Sequence, residues 1–382
     1  MISELRNRIQ APTNQQQSIK NTMTSTTHSN FDQNTDAVEV AAAFPQAIKD
    51  RTVLVTGVNK QGLGYATAEA FASQSPRCLI LAGRSTAKVQ ECIDNLHSRY
   101  PAIDIRPLLV DLSSQKSVRS AATEVLGWTD VPSIHLVVNN AGIMRHGAKS
   151  DGDVPRSEDG IEDMFATNHL GHFLLTNLIM PKITAAAKDT PAGSVRIVNL
   201  SSSGTWVSPL RASDINWQKP ASQLPENERP NFAMMKMAGM NVDEEVPYIP
   251  TAAYGQSKTC GILFSVGLNE RLFKQHDILS LALNPGEIKT ELGRHTDPEW
   301  LARAIKKREE MGIMHWKTQS QGASTILVAA CDPKLGLPES DGHGQFLGDC
   351  QITKAPAYAT DKEHAEKLWQ ISEELTSQKL SL

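Results

Sequence analysis

The 382-residue chain is 40% apolar and carries a formal net charge of −4, with a pI of about 6.3. That supplies one sizeable core and offers neither nucleic acid nor an anionic membrane a basic surface to bind. No run approaches the ~18 apolar residues of a transmembrane helix, and the N-terminus lacks the apolar stretch of a secretory signal.

In chain order, the first 35 residues are rich in Gln, Asn, Ser and Thr. Such a segment holds too little apolar surface to offset its ordering entropy. Residues 1–45 are therefore read as a disordered tail ahead of a single domain over 46–382. Arg6, Arg8 and Lys20 hint at a mitochondrial presequence, but Glu4 interrupts it and the amphipathic pattern is poor. From residue 51, short β-branched runs alternate with helical segments. Strands are expected at Thr52–Val55, Cys78–Ala82, Ile105–Val110, Ile134–Val138, Val195–Leu200 and Ile278–Leu283. Helices are expected at Gly64–Ser73, Ala87–Ser98 and near 114–126, 161–186 and 254–276. The alternation predicts an α/β fold: one Rossmann domain with a doubly wound, mostly parallel sheet of about seven strands and helices on both faces. The near-continuous apolar run of Val195–Leu200 suits a strand buried on both faces.

Residues 205–250 break the rhythm. They hold six prolines, Trp206, Trp217 and four Met between 234 and 240. A loop of this length in a compact domain is usually functional. It either caps the substrate side of the site or packs on a core of its own. Helices near 161–186 and 254–276 could pair between subunits of a homo-oligomer, unless that insertion blocks them. Cys78, Cys92, Cys260, Cys331 and Cys350 are odd in number and form no C-x-x-C pair. They read as free thiols in a reducing, cytoplasmic setting.

Thr56-Gly57-Val58-Asn59-Lys60-Gln61-Gly62-Leu63-Gly64 follows the first strand and opens a helix. Glycines there permit a tight turn and close approach of a pyrophosphate, and the helix N-terminus supplies N–H donors. The candidate phosphate contacts are Gly57, Asn59, Lys60, Gly62, Leu63 and Gly64. Past the second strand, where an acid would favour NAD(H), the chain has Arg84, which favours NADP(H); Lys60 could add a second cation. Asp111, after the third strand, is either an adenine partner or a helix cap competing with Ser113 and Ser114. Asn139-Asn140-Ala141-Gly142 follows the fourth strand, where small residues let backbone lie along a cofactor.

Tyr254 and Lys258 stand i, i+4 on one helix face. A phenol can protonate the alkoxide left by hydride transfer, and a nearby ammonium lowers its pKa from about 10. Ser201-Ser202-Ser203 ends the fifth strand, where open α/β sheets bind ligands. Asn168 lies within the preceding helix and could hold a water that relays protons to Lys258. Asn284, Pro285 and Gly286 follow the sixth strand, with Thr290 four residues past Gly286. His169 and His172 are three apart but lack a third ligand, so no metal site is expected. His343 reads as loop, and Lys306-Lys307-Arg308 is balanced by Glu309 and Glu310 as a solvated helix face.

Taken together, these motifs resemble the short-chain dehydrogenase/reductase family, in the branch of retinol dehydrogenases and fungal secondary-metabolite reductases. The resemblance spans about residues 50–375 and includes Phe346–Cys350 and Leu368-Trp369 near the C-terminus. It implies that Ser202 positions a carbonyl oxygen, Tyr254 is the proton donor, Lys258 lowers the Tyr pKa and holds the nicotinamide ribose, and Asn168 supports the relay. It adds Asn140, Pro285, Gly286 and Thr290 to the cofactor contacts. The implied partner is a small carbonyl or alcohol, and the Trp and Met residues of the insertion suggest an apolar or aromatic one. Two departures stand out: four residues, not three, separate Gly57 from Gly62, and the interval from Ser202 to Tyr254 is long. A nucleotide-binding regulatory or scaffold protein without turnover is the alternative; an epimerase or dehydratase acting on a sugar nucleotide is weaker.

Overall fold

The computed structural model describes residues 26–145, 154–237, 240, 242–290, 292, 298–310, 312, 314–336 and 346–380. Its centre is an eight-stranded sheet in the order β10-β9-β6-β5-β4-β1-β2-β3. The strands are β1 Thr52–Thr56, β2 Cys78–Gly83, β3 Asp104–Leu109, β4 Leu136–Asn139, β5 Val195–Leu200 and β6 Ile278–Asn284. β9 Phe346–Gly348 and β10 Gln351–Thr353 complete the sheet. All neighbours pair parallel except β10, which folds back antiparallel on β9. A further two-stranded parallel ribbon joins β7 Glu287–Ile288 to β8 Trp316–Lys317.

The sheet has one strand more than the expected seven. The β9–β10 hairpin turns on Asp349 and Cys350, at φ 50° and 64°. Left-handed conformations at both turn residues are what a two-residue hairpin needs. Asp-Cys is not the Asn-Gly or Asp-Gly pair that announces such a turn, so three-residue strands beside it leave no sequence trace.

The chain reverses its strand order between β1 and β4. Open α/β sheets bind ligands outside the carboxyl ends of their strands at such a switch point. β1 and β5 are buried along their whole length, as strands covered on both faces should be. Helices flank both sides: α1 Ala37–Ala43, α2 Leu63–Ala72, α3 Thr86–Arg99, α4 Gln115–Gly127, α5 Gly171–Leu178, α6 Met180–Ala187, α7 Pro250–His276, α8 Gln319–Cys331 and α9 Lys362–Thr376.

Three expectations need correction. First, the assignment of residues 1–45 to a disordered tail fails for 26–45. Phe31, Ala37, Val40, Ala41 and Phe44 are buried, and α1 lies on α8 and α2. Ala37, Val40 and Ala41 stand at i, i+3, i+4, so even a mostly polar segment presents an apolar stripe. Thr27 anchors it, its N–H donating to the Asp332 carboxylate at 2.6 Å. Residues 1–25 lie outside the described residues. Second, the helix expected over 161–186 is interrupted. A π-turn at Ala166–Leu170 precedes α5, and Ile179 separates α5 from α6, which has Pro in its first turn. Third, α9 of the same chain, and not only the insertion, packs on α5 and α7, the helices that could pair between subunits. Trp369 meets the Phe173 ring edge-on at 5.0 Å, and the Ser372 hydroxyl bonds His169 Nε2 at 2.8 Å.

Candidate active site

The glycine loop is shaped by contacts that no larger residue could make. Gly57 has φ +72°, and a Cβ there would lie 2.6 Å from Ala141 Cα. A Cβ on Gly64 would lie 2.7 Å from the Gly57 carbonyl oxygen. The extra residue between Gly57 and Gly62 is taken up in a turn whose Gly62 N–H donates to Asn59 O at 2.9 Å. Gly62 then caps α2 without any side-chain hydrogen bond, which leaves first-turn N–H groups for a ligand. Asn59 Oδ1, against Gly62, is buried and has no hydrogen-bond partner among the described residues. A positive-φ turn, glycines that let backbone approach closely and a helix N-terminus with no side-chain cap together fit a pyrophosphate, whose oxygens accept from free N–H groups.

Val58 N–H donates to Ala82 O at 3.1 Å and ties this loop to the end of β2. Arg84 follows two residues on and is exposed. Lys60, the proposed second cation, pairs with Glu91 at 3.8 Å. Asp111 is engaged locally, accepting Ser113 N–H at 3.0 Å and the Ser113 hydroxyl at 2.7 Å, while Ser114 caps α4. The Asn140 side chain donates to Thr56 O at 2.7 Å. Gly286 has φ +90°, and its N–H donates to Asn284 Oδ1 at 3.2 Å; buried Pro285 precedes it. The Thr290 hydroxyl accepts Leu292 N–H at 3.3 Å.

The structure brings Ser202, Tyr254, Lys258 and Asn168 together. Among the three serines after β5, Ser201 turns inward and donates to Lys258 O at 2.8 Å. Ser202 instead hydrogen-bonds the Tyr254 phenol and accepts Gly204 N–H at 3.0 Å. Lys258 Nζ lies 5.7 Å from the Tyr254 ring centre and donates to Leu200 O at 3.2 Å. Lys258 Nζ and Asn168 Oδ1 both lie against Gly142, where a Cβ would come within 3.3 Å of each. Asn168 is clamped: its Oδ1 accepts Ile143 N–H at 2.8 Å, and its Nδ2 donates to Ile143 O at 3.0 Å and to the Ser257 hydroxyl at 2.9 Å.

The protonation balance differs from the expectation that the ammonium would dominate. Burial pushes the Tyr254 phenol up to about 12, against the hydrogen bond from Ser202 and with a contribution from Glu287. Burial also brings the Lys258 ammonium down to about 8. Desolvation is the leading cause for both groups.

Several residues of the site were not singled out from sequence. Thr56 Oγ1 accepts the N–H groups of Asn140 and Ala141, each at 3.0 Å, and bonds His172 Nε2 at 2.8 Å. His172 Nδ1 faces the Asn168 carbonyl at 3.2 Å. Burial holds this imidazole down to about 4, so it is neutral and links the glycine loop, the 139–142 turn and the Asn168 π-turn. Its i+4 spacing from Asn168 was the available signal. Lys317 is buried on β8 with its stem over Gly286, and its ammonium pairs with Asp349 at 2.6 Å. Nothing near Gly286 in the sequence announces it. Among the described residues no group of three His, Cys, Asp or Glu side chains gathers.

Residues 51–212 match the family model for short chain dehydrogenase. The chain is 33% identical over 330 residues to the chloroplastic short-chain dehydrogenase TIC 32 A of Brassica napus, covering 85% of this chain and 88% of that one. The chain belongs to the short-chain dehydrogenase family. It is 37% identical over 256 residues to oxidoreductase fscI of Fusarium equiseti, covering 67% of this chain and 94% of the relative. With human retinol dehydrogenase 13 it shares 31% identity over 86% of this chain and 85% of the relative. A crystal structure of an uncharacterised Mycobacterium paratuberculosis protein superposes with a TM-score of 0.60 at 28% identity, covering 90% of this chain and 98% of that one. An NADPH-bound carbonyl reductase from chicken fatty liver shares the fold, with a TM-score of 0.52 at 19% identity over 78% of this chain and 96% of that one.

Proposed function

We propose that this short-chain dehydrogenase is an NADP(H)-dependent reductase of apolar or aromatic carbonyl compounds, with Ser202, Tyr254, Lys258 and Asn168 as its working set. The observation that carries the reading is the convergence of those four side chains at the mouth of a dinucleotide-shaped glycine loop. When bound, the dihydronicotinamide supplies hydride to the carbonyl carbon. Ser202 donates a hydrogen bond to the carbonyl oxygen and holds it beside the phenol. Tyr254 gives its proton to that oxygen as negative charge develops. A phenol held near 12 is fully protonated at neutral pH, which suits the reductive direction. Lys258, as an ammonium, stabilises the phenolate that forms, and Asn168 fixes the backbone beside it for proton return. Gly57, Gly62, Leu63, Gly64 and Asn59 hold the pyrophosphate, while Asp111, Asn140, Pro285, Gly286 and Thr290 line the rest of the dinucleotide's path. Arg84 at the end of β2, with no acid beside it, favours a 2′-phosphate.

The apolar preference rests on the insertion. Trp217, Met235 and Tyr248 share one apolar cluster with Tyr254, and Ile143 and Met144 pack against it. A flexible, Met-containing wall accommodates bulky apolar ligands.

The test is NADPH oxidation with a panel of carbonyl substrates. Tyr254→Phe should lower kcat about a thousandfold, within the range of general acid catalysis, with NADPH affinity unchanged. For the native enzyme, kcat/KM should be level below neutrality and decline as pH rises past about 8, where free Lys258 loses its proton. NADPH binding with no consumption across the panel would establish the scaffold reading instead.

A further inference from the structure

Glu162 is a fully buried carboxyl that the reaction scheme does not use. One oxygen accepts Phe165 N–H at 2.7 Å and caps the short helical turn that leads into the Asn168 π-turn. The other accepts the Tyr248 hydroxyl at 3.1 Å. The Glu162 N–H donates to the Asn216 side chain at 2.9 Å. Asn216 and Tyr248 come from the first third and the end of the 205–250 insertion. Trp217, beside Asn216, meets the Tyr248 ring edge-on at 6.1 Å. Tyr248 stands just ahead of α7, whose second turn carries Tyr254. Glu162 therefore joins the run bearing Asn168 to the insertion at two points, through its backbone N–H at Asn216 and through its side chain at Tyr248, just ahead of the helix bearing the phenol.

We propose that Glu162 is a positioning residue that fixes the insertion against Tyr254 and thereby sets selectivity for bulky over small carbonyl substrates. It rests on the reading of the insertion as the substrate wall. The carboxyl acts as a neutral acid, in which its own O–H turns to the Tyr248 oxygen across the same 3.1 Å contact while the other oxygen keeps the Phe165 N–H. Burial pushes it up to about 8, Asp163 adds in the same direction, and the Phe165 N–H and the Tyr248 hydroxyl pull the other way. The charged and titratable groups facing it are few. Asp163 on its own segment is paired with Arg145 of the strand-end loop. The Tyr248 phenol is held up by burial and by Glu162 itself. The Cys260 thiol of α7 is held up by burial. Among the described residues only Asp163 bears negative charge near it, and Arg145 offsets that.

A raised carboxyl pKa means that folding favours the protonated form. The stability this gives is complete below the ordinary value of 4.5 and is lost as pH rises to about 8. The clasp should therefore loosen on the alkaline side. Glu162→Gln imitates the acid: its amide oxygen can accept Phe165 N–H and its NH2 can donate to the Tyr248 oxygen.

The experiment compares the full chain with Glu162→Ala, Glu162→Gln and Tyr248→Phe, using NADPH with cinnamaldehyde and with butanal, and amide hydrogen exchange as a readout independent of turnover. Loss of a buried hydrogen-bonded acceptor should raise KM for cinnamaldehyde about tenfold in Glu162→Ala. Its kcat should stay within about twofold and its KM for butanal should barely move. Exchange should quicken across 205–250 and not across 51–145. Glu162→Gln should restore both readouts and remove the loss of protection over 205–250, relative to the intrinsic exchange rate at each pH, that the native chain shows between pH 7 and pH 9. If Glu162→Ala is too unstable to purify, Tyr248→Phe and the pH dependence of Glu162→Gln decide. Unchanged exchange over 205–250 in Glu162→Ala or Tyr248→Phe, or the same pH response in Glu162→Gln as in the native chain, overturns the proposal. The wall reading fails separately, if Trp217→Ala leaves the cinnamaldehyde-to-butanal KM ratio untouched.

Discussion

The first β-α-β unit and the 205–250 insertion each bury a core, but the insertion's includes charged side chains. Between β1 and β2 the interior is Val53, Val55, Ala68, Phe71, Leu79 and Leu81, all apolar and set on regular elements whose backbone groups bond one another. The insertion instead buries Arg211 completely. Its guanidinium pairs with Asp214 at 2.5 Å, donates to Lys219 O at 2.9 Å and lies 3.9 Å over the Trp217 ring. The Asp214 carboxylate in turn accepts the N–H groups of Gln218 and Lys219, at 2.9 and 3.0 Å. Arg229 donates to Leu224 O at 2.9 Å and to Ser222 O at 3.1 Å. The reason is general. An irregular segment has no ladder to satisfy its buried backbone polar groups, so side chains must do it. The cofactor half is stabilised by many small, replaceable contacts, and the substrate half by a few polar hubs around one indole.

That contrast predicts unequal sensitivity. Trp217 is completely buried, and Trp217→Ala leaves both a cavity and an Arg211 without its ring. The expected cost is about 4 kcal/mol, in the range for deleting a large buried aromatic. Thermal unfolding would register it as a clear fall in Tm. KM for bulky carbonyls should rise, while NADPH affinity of the folded protein stays within about twofold. A parallel collapse of NADPH affinity would show that the two halves are one cooperative unit and remove the distinction.

The same contrast governs how much could be read from the sequence. The strands of the cofactor half were legible because burial on both faces writes continuous apolar runs. β1, β2 and β5 fall within a residue or so of their expected limits. Tyr254 and Lys258 were legible because four-residue spacing on a helix is a local rule. The insertion was not, because Arg211, Asp214 and Trp217 look like an ordinary solvated stretch until the fold closes over them. Glu162 and Lys317 depend on partners about 86 and 32 residues away in the chain, Tyr248 and Asp349, and no window reveals such pairs. The N-terminal strap was hidden by composition: five buried apolar side chains are diluted among polar neighbours. The choice of Ser202 over Ser201 came from family pattern, and the hydrogen bond to Tyr254 now gives it a geometric basis. The protonation of Tyr254 was misjudged because sequence shows the neighbouring ammonium and not the burial that opposes it.

A second comparison lies inside the cofactor half, between two cations expected near the same phosphate. Arg84 continues directly from β2 and is exposed there. A guanidinium can grip a phosphate with two parallel hydrogen bonds. Arg84→Asp should raise the NADPH Kd by about 10- to 100-fold, the span of a lost charge-assisted hydrogen bond. NADH affinity should change by less than about threefold. Equal weakening of both dinucleotides in a titration would remove the 2′-phosphate from the account.

Lys60 should matter least. It sits in the glycine loop, but its ammonium lies 3.8 Å from Glu91, and both side chains are about half exposed, at 49% and 52%. An exposed pair of this kind contributes about 0–1 kcal/mol and is screened by salt. To reach a phosphate, the ammonium must leave Glu91 and keep its flexible stem ordered, so the net gain is small. Lys60→Ala should weaken NADPH by no more than about threefold at low ionic strength, and the difference should vanish at about 1 M salt, where the Debye length is near 3 Å. A tenfold, salt-resistant loss would mean that Lys60 makes a close, desolvated phosphate contact. The four-residue spacing of the glycine loop would then serve to deliver that lysine, and specificity for the 2′-phosphate would be shared across the loop rather than concentrated at the end of β2.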